Sequence, residues 1–243
     1  MSIYFEPQSQ TFHLTNGKIS YLMKVMPNGQ LGQLYFGKAV RHRASFDHLF
    51  EMTTRSMTAC VYEDDDSFSL DHVKQEYPSY GTGDFRCPAV RILQANGSDI
   101  TNFTYVSHAI TQGKPALEGL PATYCEADDE VETLCITFRD ELIGMRVDLL
   151  YTLFSGHAAL ARSVRLVNEG GEVVTIDAAM SLCLDLPDCD YEWLQLSGAW
   201  ARERHIHTRQ LAPGVQSVGS IRGTSSHNHN PFVALKRRET TET

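Results

Sequence analysis

What the chain lacks narrows it first. Its six cysteines, Cys60, Cys87, Cys125, Cys135, Cys183 and Cys189, form no Cys-x-x-Cys pair, so zinc-ribbon spacing is absent. Cys135 sits inside the apolar alternation Leu134–Phe138, where a free thiol acts as a small hydrophobe. No phosphate-binding glycine loop and no Gly-x-Ser-x-Gly elbow occur, which disfavours the commonest NTPase and hydrolase readings. No apolar run approaches the roughly 20 residues that cross a bilayer, so no membrane partner is expected. The first ten residues, MSIYFEPQSQ, lack a basic start and an apolar core. No export leader is legible there, and a cytoplasmic, reduced setting is expected. Positive charge is also scarce. The formal net charge is −9, and the one basic cluster is Lys236-Arg237-Arg238, read as a solvated edge. Phosphate backbones need clustered Lys and Arg, so nucleic acid is not an expected partner.

Convincing amphipathic helices, repeats and low-complexity stretches are missing too. The pattern that is present has period two. Met145, Val147, Leu149 and Tyr151 alternate with their neighbours, as do Leu134, Ile136 and Phe138. Residues 139–144 are a plausible hairpin connection between them. A second hairpin is predicted from Arg162–Val167, the turn Asn168–Gly171 and Glu172–Ile176. Earlier strands are predicted at Thr11–Leu14, Ser20–Val25 and Leu31–Phe36. Met26-Pro-Asn-Gly29 signals a tight turn between the last two. Phe46, Leu49 and Phe50 have helical spacing and predict a short helix within 46–57. Pro231–Leu235 reads as a strand. Many short strands with frequent turns mean an all-β sandwich or barrel.

The segment Glu76–Arg86 (EYPSYGTGDFR) mixes two tyrosines, a proline, two glycines, acids and an arginine. Pro78 lacks a donor and Gly81 and Gly83 permit unusual backbone angles, so it is a shaped loop. It serves either as a packed corner, with Asp84 and Arg86 paired to each other, or as a polar ligand site. Carboxylates at Asp47, Glu51, Asp64–Asp66, Glu76, Asp84, Asp185, Asp188 and Asp190 could include a glycosidase pair, though sequence alone pairs none of them. His205/His207 and His227/His229 are two His-x-His pairs. Residues i and i+2 of a strand share a face, but no third ligand lies at a diagnostic spacing, so no metal is expected. Trp200, in SGAWARER (Ser197–Arg204), lies in a polar stretch rather than an apolar one. It either anchors the loop or stacks on the C–H face of a sugar. Trp193 reads as ordinary packing.

Four motifs in register carry a resemblance. They are EYPSYGTGDFRCPA (Glu76–Ala89), GKPALEGLPATY (Gly113–Tyr124), SGAWARER and RGTSSHNHNPF (Arg222–Phe232). With Phe12-His-Leu14, Ser20-Tyr21, Leu34–Gly37 and Arg162-Ser163, they make the whole chain similar to the N-terminal part of microbial α-galactosidases of glycoside hydrolase family thirty-six. The resemblance implies a β-supersandwich (galactose mutarotase-like) over 1–243, expected to be incomplete at its C-terminus. In that family a (β/α)8 barrel and a C-terminal β-domain follow. It also implies retaining hydrolysis of terminal α-galactosides such as melibiose and raffinose, with no cofactor. The nucleophile and acid/base of the family lie in the barrel, so no residue here is assigned a catalytic role and the chain alone is expected to be inactive.

The resemblance further implies supporting contacts to an α-galactoside substrate. The tryptophan of the Gly-Ala-Trp motif maps onto Trp200. An aspartate in the loop after the third strand, which reaches a neighbouring subunit's pocket, maps onto Asp47. The loop His42–Phe68 is longer and differently composed than the family pattern, and Asp65 is the second candidate. A homo-oligomer is implied, a tetramer for full-length relatives. Ending the sandwich at 243 is expected to expose an edge and apolar surface, so that the isolated chain self-associates or is only marginally stable. The competing reading is a stand-alone, non-catalytic carbohydrate-binding or assembly module.

Overall fold

The structure, a computed structural model, describes residues 2–52, 54, 59–221 and 228–239. The strands among them are β1 (Ser2–Glu6), β2 (Thr11–Thr15), β3 (Ile19–Val25), β4 (Leu31–Lys38), β5 (Val90–Leu93), β6 (Thr104–Gln112), β7 (Val131–Asp140), β8 (Met145–Phe154), β9 (Leu160–Asn168), β10 (Thr175–Ala179), β11 (Glu192–Ala199), β12 (Arg202–Gln210) and β13 (His229–Lys236). They fall into two compact units, residues 1–185 and 186–243.

The first unit is a β-sandwich, as the all-β pattern predicts. One sheet runs β1-β2-β3-β4 and the other β6-β7-β8-β9, both antiparallel meanders. The period-two residues face inward. Phe12, Leu14, Tyr21 and Met23 of the first sheet share one core with Leu134, Ile136, Val147, Leu149 and Tyr151 of the second. Each such side chain contributes about 1.5–3 kcal/mol by leaving water, which is what fixes the strand register. Val90 and Ile92 of β5, both fully buried, close the core.

Two expectations need correction. The reversal at Asn168–Gly171 is real, with the Gly170 N–H donating to Asn168 Oδ1 at 3.0 Å, but no hairpin follows it. β10 starts at Thr175 and pairs antiparallel with β5, not with β9. Turn chemistry dictates that the chain reverses; it does not choose the partner. Here the short, buried β5 takes the strand. The Met180 N–H donates to the Ala89 carbonyl at 2.8 Å, and Arg91 pairs across with Asp177 at 3.2 Å. The helix within 46–57 shrinks to one 3-10 turn, Asp47–Leu49, and Phe50 is already extended. Residues 53 and 55–58 lie outside the described residues.

The second unit is the antiparallel sheet β12-β11-β13. β11 is half-buried along its length and β12 is exposed throughout. An arginine clip closes one end of this sheet. Arg237 donates to both Asp188 carboxylate oxygens, at 2.6 and 2.8 Å, and its guanidinium stacks on Tyr191.

Candidate functional site

Two of the four sequence motifs place their polar side chains in opposite settings. The first is locked inside the sandwich. Glu76 is fully buried and receives three donors: Tyr21 Oη to Oε2 at 2.7 Å, Tyr151 Oη to Oε1 at 2.9 Å, and Arg162 Nη1 to Oε1 at 3.0 Å. Tyr21 comes from one sheet and Tyr151 and Arg162 from the other, so the carboxylate ties the two layers together. Burial nonetheless dominates and raises the Glu76 pKa to about 6. The phenol of Tyr151 is pushed far up by burial and by the Glu76 charge.

The rest of the loop extends this framework. Asp84 is buried and accepts from its neighbour Arg86, Nε to Oδ1 at 2.9 Å, as the packed-corner reading expects. It also accepts from the Arg86 N–H at 3.0 Å and from the Gln75 amide. Arg86 Nη2 then donates to the Leu70 carbonyl at 2.8 Å. Gly81 sits at φ 91°, and a Cβ there would meet Ile100 Cγ2 at 2.6 Å, so a larger residue would strain the backbone and displace the Ile100 side chain.

Arg162 and Glu76 are the residues that sequence reasoning passed over as a pair. The signal was there: Arg162 is in phase with Val164 and Leu166 on an alternating strand, so it points inward. A buried arginine demands an acid, and Glu76 was the acid of the shaped loop.

The SGAWARER motif behaves in the opposite way. It forms the β11–β12 hairpin, with Ala199 paired to Arg202 and only Trp200 and Ala201 in the turn. Ala201 takes φ 63°, and its N–H donates to Glu203 Oε1 at 2.8 Å. Gly198 is required for close approach, because a Cβ would lie 2.2 Å from the Arg202 carbonyl oxygen. The motif's small and charged residues thus shape a tight hairpin that lifts the indole of Trp200 to 81% exposure. An anchoring tryptophan would be buried; this one is presented.

Asp47 belongs to the first unit, at the start of the 3-10 turn. Its carboxylate is held by Lys24 Nζ and by Ser45 Oγ, the latter at 2.8 Å. The Lys24 hydrogen bond, helped by Ser45, lowers its pKa. Asp47 is therefore ionised and oriented, with 54% of its side chain still open to solvent. Asp65 spends its carboxylate on its own loop, accepting from the Ser67 hydroxyl at 2.6 Å and the Ser67 N–H at 2.9 Å.

Trp193 is half-buried, its indole N–H given to Gln195 Oε1 at 2.8 Å and its ring under the Arg209 guanidinium. His205 and His207 lie on exposed β12; His229 on β13 meets Ser197 Oγ through Nδ1 at 3.1 Å. The first six residues of RGTSSHNHNPF, His227 among them, lie outside the described residues. Among the described residues no group of three or more His, Cys, Asp or Glu side chains could hold a metal ion. No helix among them is long and apolar enough to cross a membrane.

A two-layer all-β sandwich with a presented tryptophan hairpin defines the class. The family follows from comparison with known proteins. Residues 29–243 match the model of the Glycosyl hydrolase family 36 N-terminal domain, and the chain belongs to that family. It is 45% identical over 242 residues to alpha-galactosidase AgaA of Geobacillus stearothermophilus, covering 100% of this chain and 33% of the relative. The crystal structure of the alpha-galactosidase from Lactobacillus brevis superposes with a TM-score of 0.94 at 39% identity, over 99% of this chain and 32% of that one. A variant of the Geobacillus AgaA enzyme in complex with raffinose superposes with a TM-score of 0.89 at 45% identity, over 96% and 32%. The chain thus spans about a third of the length of the relatives it matches.

Proposed function

We propose that this chain is the N-terminal domain, residues 1–243, of an α-galactosidase that removes terminal α-galactose from oligosaccharides such as raffinose and melibiose. On this reading the catalytic carboxylates belong to a barrel elsewhere in the longer protein. This domain supports the assembly of a cytoplasmic homo-oligomer and adds contacts at the rim of the pocket. The observation that carries the reading is the Trp200 hairpin, with a glycine that tolerates no Cβ and an indole held out in solvent. A flat apolar ring with a free N–H suits the C–H face of a hexose. Asp47, ionised and steered by Lys24 and Ser45, suits a sugar hydroxyl. Raffinose bound to the AgaA relative makes that trisaccharide the first substrate to try.

The test joins this chain to the remaining two thirds of the Geobacillus AgaA enzyme in place of that enzyme's own N-terminal third. The chimera is expected to hydrolyse raffinose and a chromogenic α-galactoside, and the 243-residue chain alone to hydrolyse neither. A folded chimera without activity, or activity in the chain alone, would contradict the proposal.

A further inference from the structure

The first sheet carries a cluster of titratable groups that the reading above does not use. His13 of β2 and His42, on the segment after β4, face each other through Nδ1 atoms 3.1 Å apart. Their outer nitrogens are committed as well. His42 Nε2 lies 2.9 Å from Glu6 Oε1, and His13 Nε2 lies 2.9 Å from Ser20 Oγ. Ser20 Oγ in turn accepts the Val40 N–H at 3.0 Å and lies 3.2 Å from Thr15 Oγ1. Tyr4 of β1 stacks on His42 with centroids 4.0 Å apart, and Phe46 meets His13 edge-on. This network fastens the segment between Val40 and Phe46 to the sheet, with one further tie from Ser9 Oγ to the Ala44 carbonyl. That segment leads directly into Asp47.

Counting protons shows what the arrangement does. In the neutral pair, His42 Nε2–H donates to Glu6. His42 Nδ1 is then an acceptor, filled by His13 Nδ1–H, and His13 Nε2 accepts from the Ser20 hydroxyl. One added proton is absorbed without loss. His42 Nδ1–H now donates to His13 Nδ1, the His13 proton moves to Nε2 and donates to Ser20 Oγ, and the Ser20 hydroxyl turns to Thr15. A second proton has no place. Two N–H groups then oppose each other across 3.1 Å, with two imidazolium charges and the single carboxylate of Glu6.

The other titratable groups around the pair do not change this count. They are Tyr4 on β1 and His48, which stacks on Phe46. Arg41 and Arg43 flank His42 on its own segment and add positive charge. Burial, with the His42 charge second, lowers the His13 pKa to about 4, in keeping with resistance to that second proton.

We propose that His13 and His42 form a proton-counting clip that tolerates one added proton and opens on the second, releasing the segment between Val40 and Phe46 from the first sheet.

The test is amide hydrogen exchange of the 243-residue chain, followed residue by residue by NMR and corrected for the intrinsic rate. From about pH 7 to about pH 4, protection at Val40 is expected to fall by at least about tenfold, one pK unit of coupling. Protection at Leu149, in the middle of β8, is expected not to fall, since the proton held by Glu76 favours the folded state at the acid end. His42→Gln can bond Glu6 but cannot count protons, so its Val40 protection should lose the pH dependence. His13→Gln provides the same readout if the first variant folds poorly. A wild-type change below about twofold would overturn the proposal. So would a fall shared by Leu149, or the same fall in both glutamine variants.

Discussion

The loop Glu76–Arg86 and the hairpin Ser197–Arg204 look alike as sequence, each mixing aromatics, glycines, acids and arginines. Folded, they are opposites. The first turns its charges inward, where Glu76 and Asp84 are saturated by Tyr21, Tyr151, Arg162, Gln75 and Arg86. The second spends its glycine and its left-handed Ala201 on a tight turn and holds Trp200 out. Carboxylates whose oxygens are filled by interior donors are framework; an apolar ring kept in water by a shaped turn is the feature on which the proposed sugar contact rests.

The largest effect expected from that contrast is at the buried pair. Glu76→Ala strands Arg162 in the core and is expected to cost about 3–5 kcal/mol in urea unfolding. Replacing both partners, Glu76→Leu with Arg162→Met, should recover the part due to the stranded guanidinium, leaving the cost of the Tyr21 and Tyr151 hydroxyls that lose their acceptor. A single variant within about 1 kcal/mol of wild type would break the assignment of this motif to the framework. Next comes Asp84→Ala, which leaves the Arg86 guanidinium and N–H and the Gln75 amide without their acceptor and is expected to cost about 2–3 kcal/mol by the same measurement.

A smaller, pH-dependent effect sharpens the comparison. The Glu76 pKa is raised to about 6 from its ordinary 4.5. The folded state therefore holds this proton more tightly than the unfolded chain. The corresponding stability is fully present below about pH 4.5 and is lost as the pH rises through about 6, roughly 2 kcal/mol in all. Glu76→Gln removes this component. Unfolding free energies of wild type and variant, measured across that window, should diverge as the pH rises. Parallel curves would mean that the carboxyl keeps its ordinary pKa in the fold.

The smallest stability effect belongs to the hairpin. Trp200→Ala should change the unfolding free energy by no more than about 0.5 kcal/mol, as exposed substitutions do.

Much of this was legible beforehand, for physical reasons that differ by region. The inward alternation on β7 and β8 is a direct imprint of a half-buried sheet, and it predicted the sandwich layers. Asp84 and Arg86 are two residues apart in a glycine-bounded loop, so their pairing is local and readable. The Glu76–Arg162 contact joins groups far apart in the chain, and only the phase of Arg162 on β9 hinted at it. The β5–β10 pairing was invisible because a turn encodes a reversal and not a destination. β6, with Ser107, His108, Thr111 and Gln112 among its residues, has no alternation to read. At the site, resemblance to a known family singled out Trp200 and Asp47. Exposure at Trp200 and the Lys24–Ser45 bonding at Asp47 emerge only from the fold.

The central claim is that Glu76–Arg86 supports the fold whereas Trp200 faces a sugar. The most direct test measures raffinose hydrolysis and urea unfolding together for Trp200→Ala in the chimera with the Geobacillus AgaA remainder. The account predicts a KM raised by roughly two- to tenfold, the worth of one aromatic stack, with the unfolding midpoint unchanged. A lowered midpoint with an unchanged KM would contradict it and make Trp200 another piece of framework.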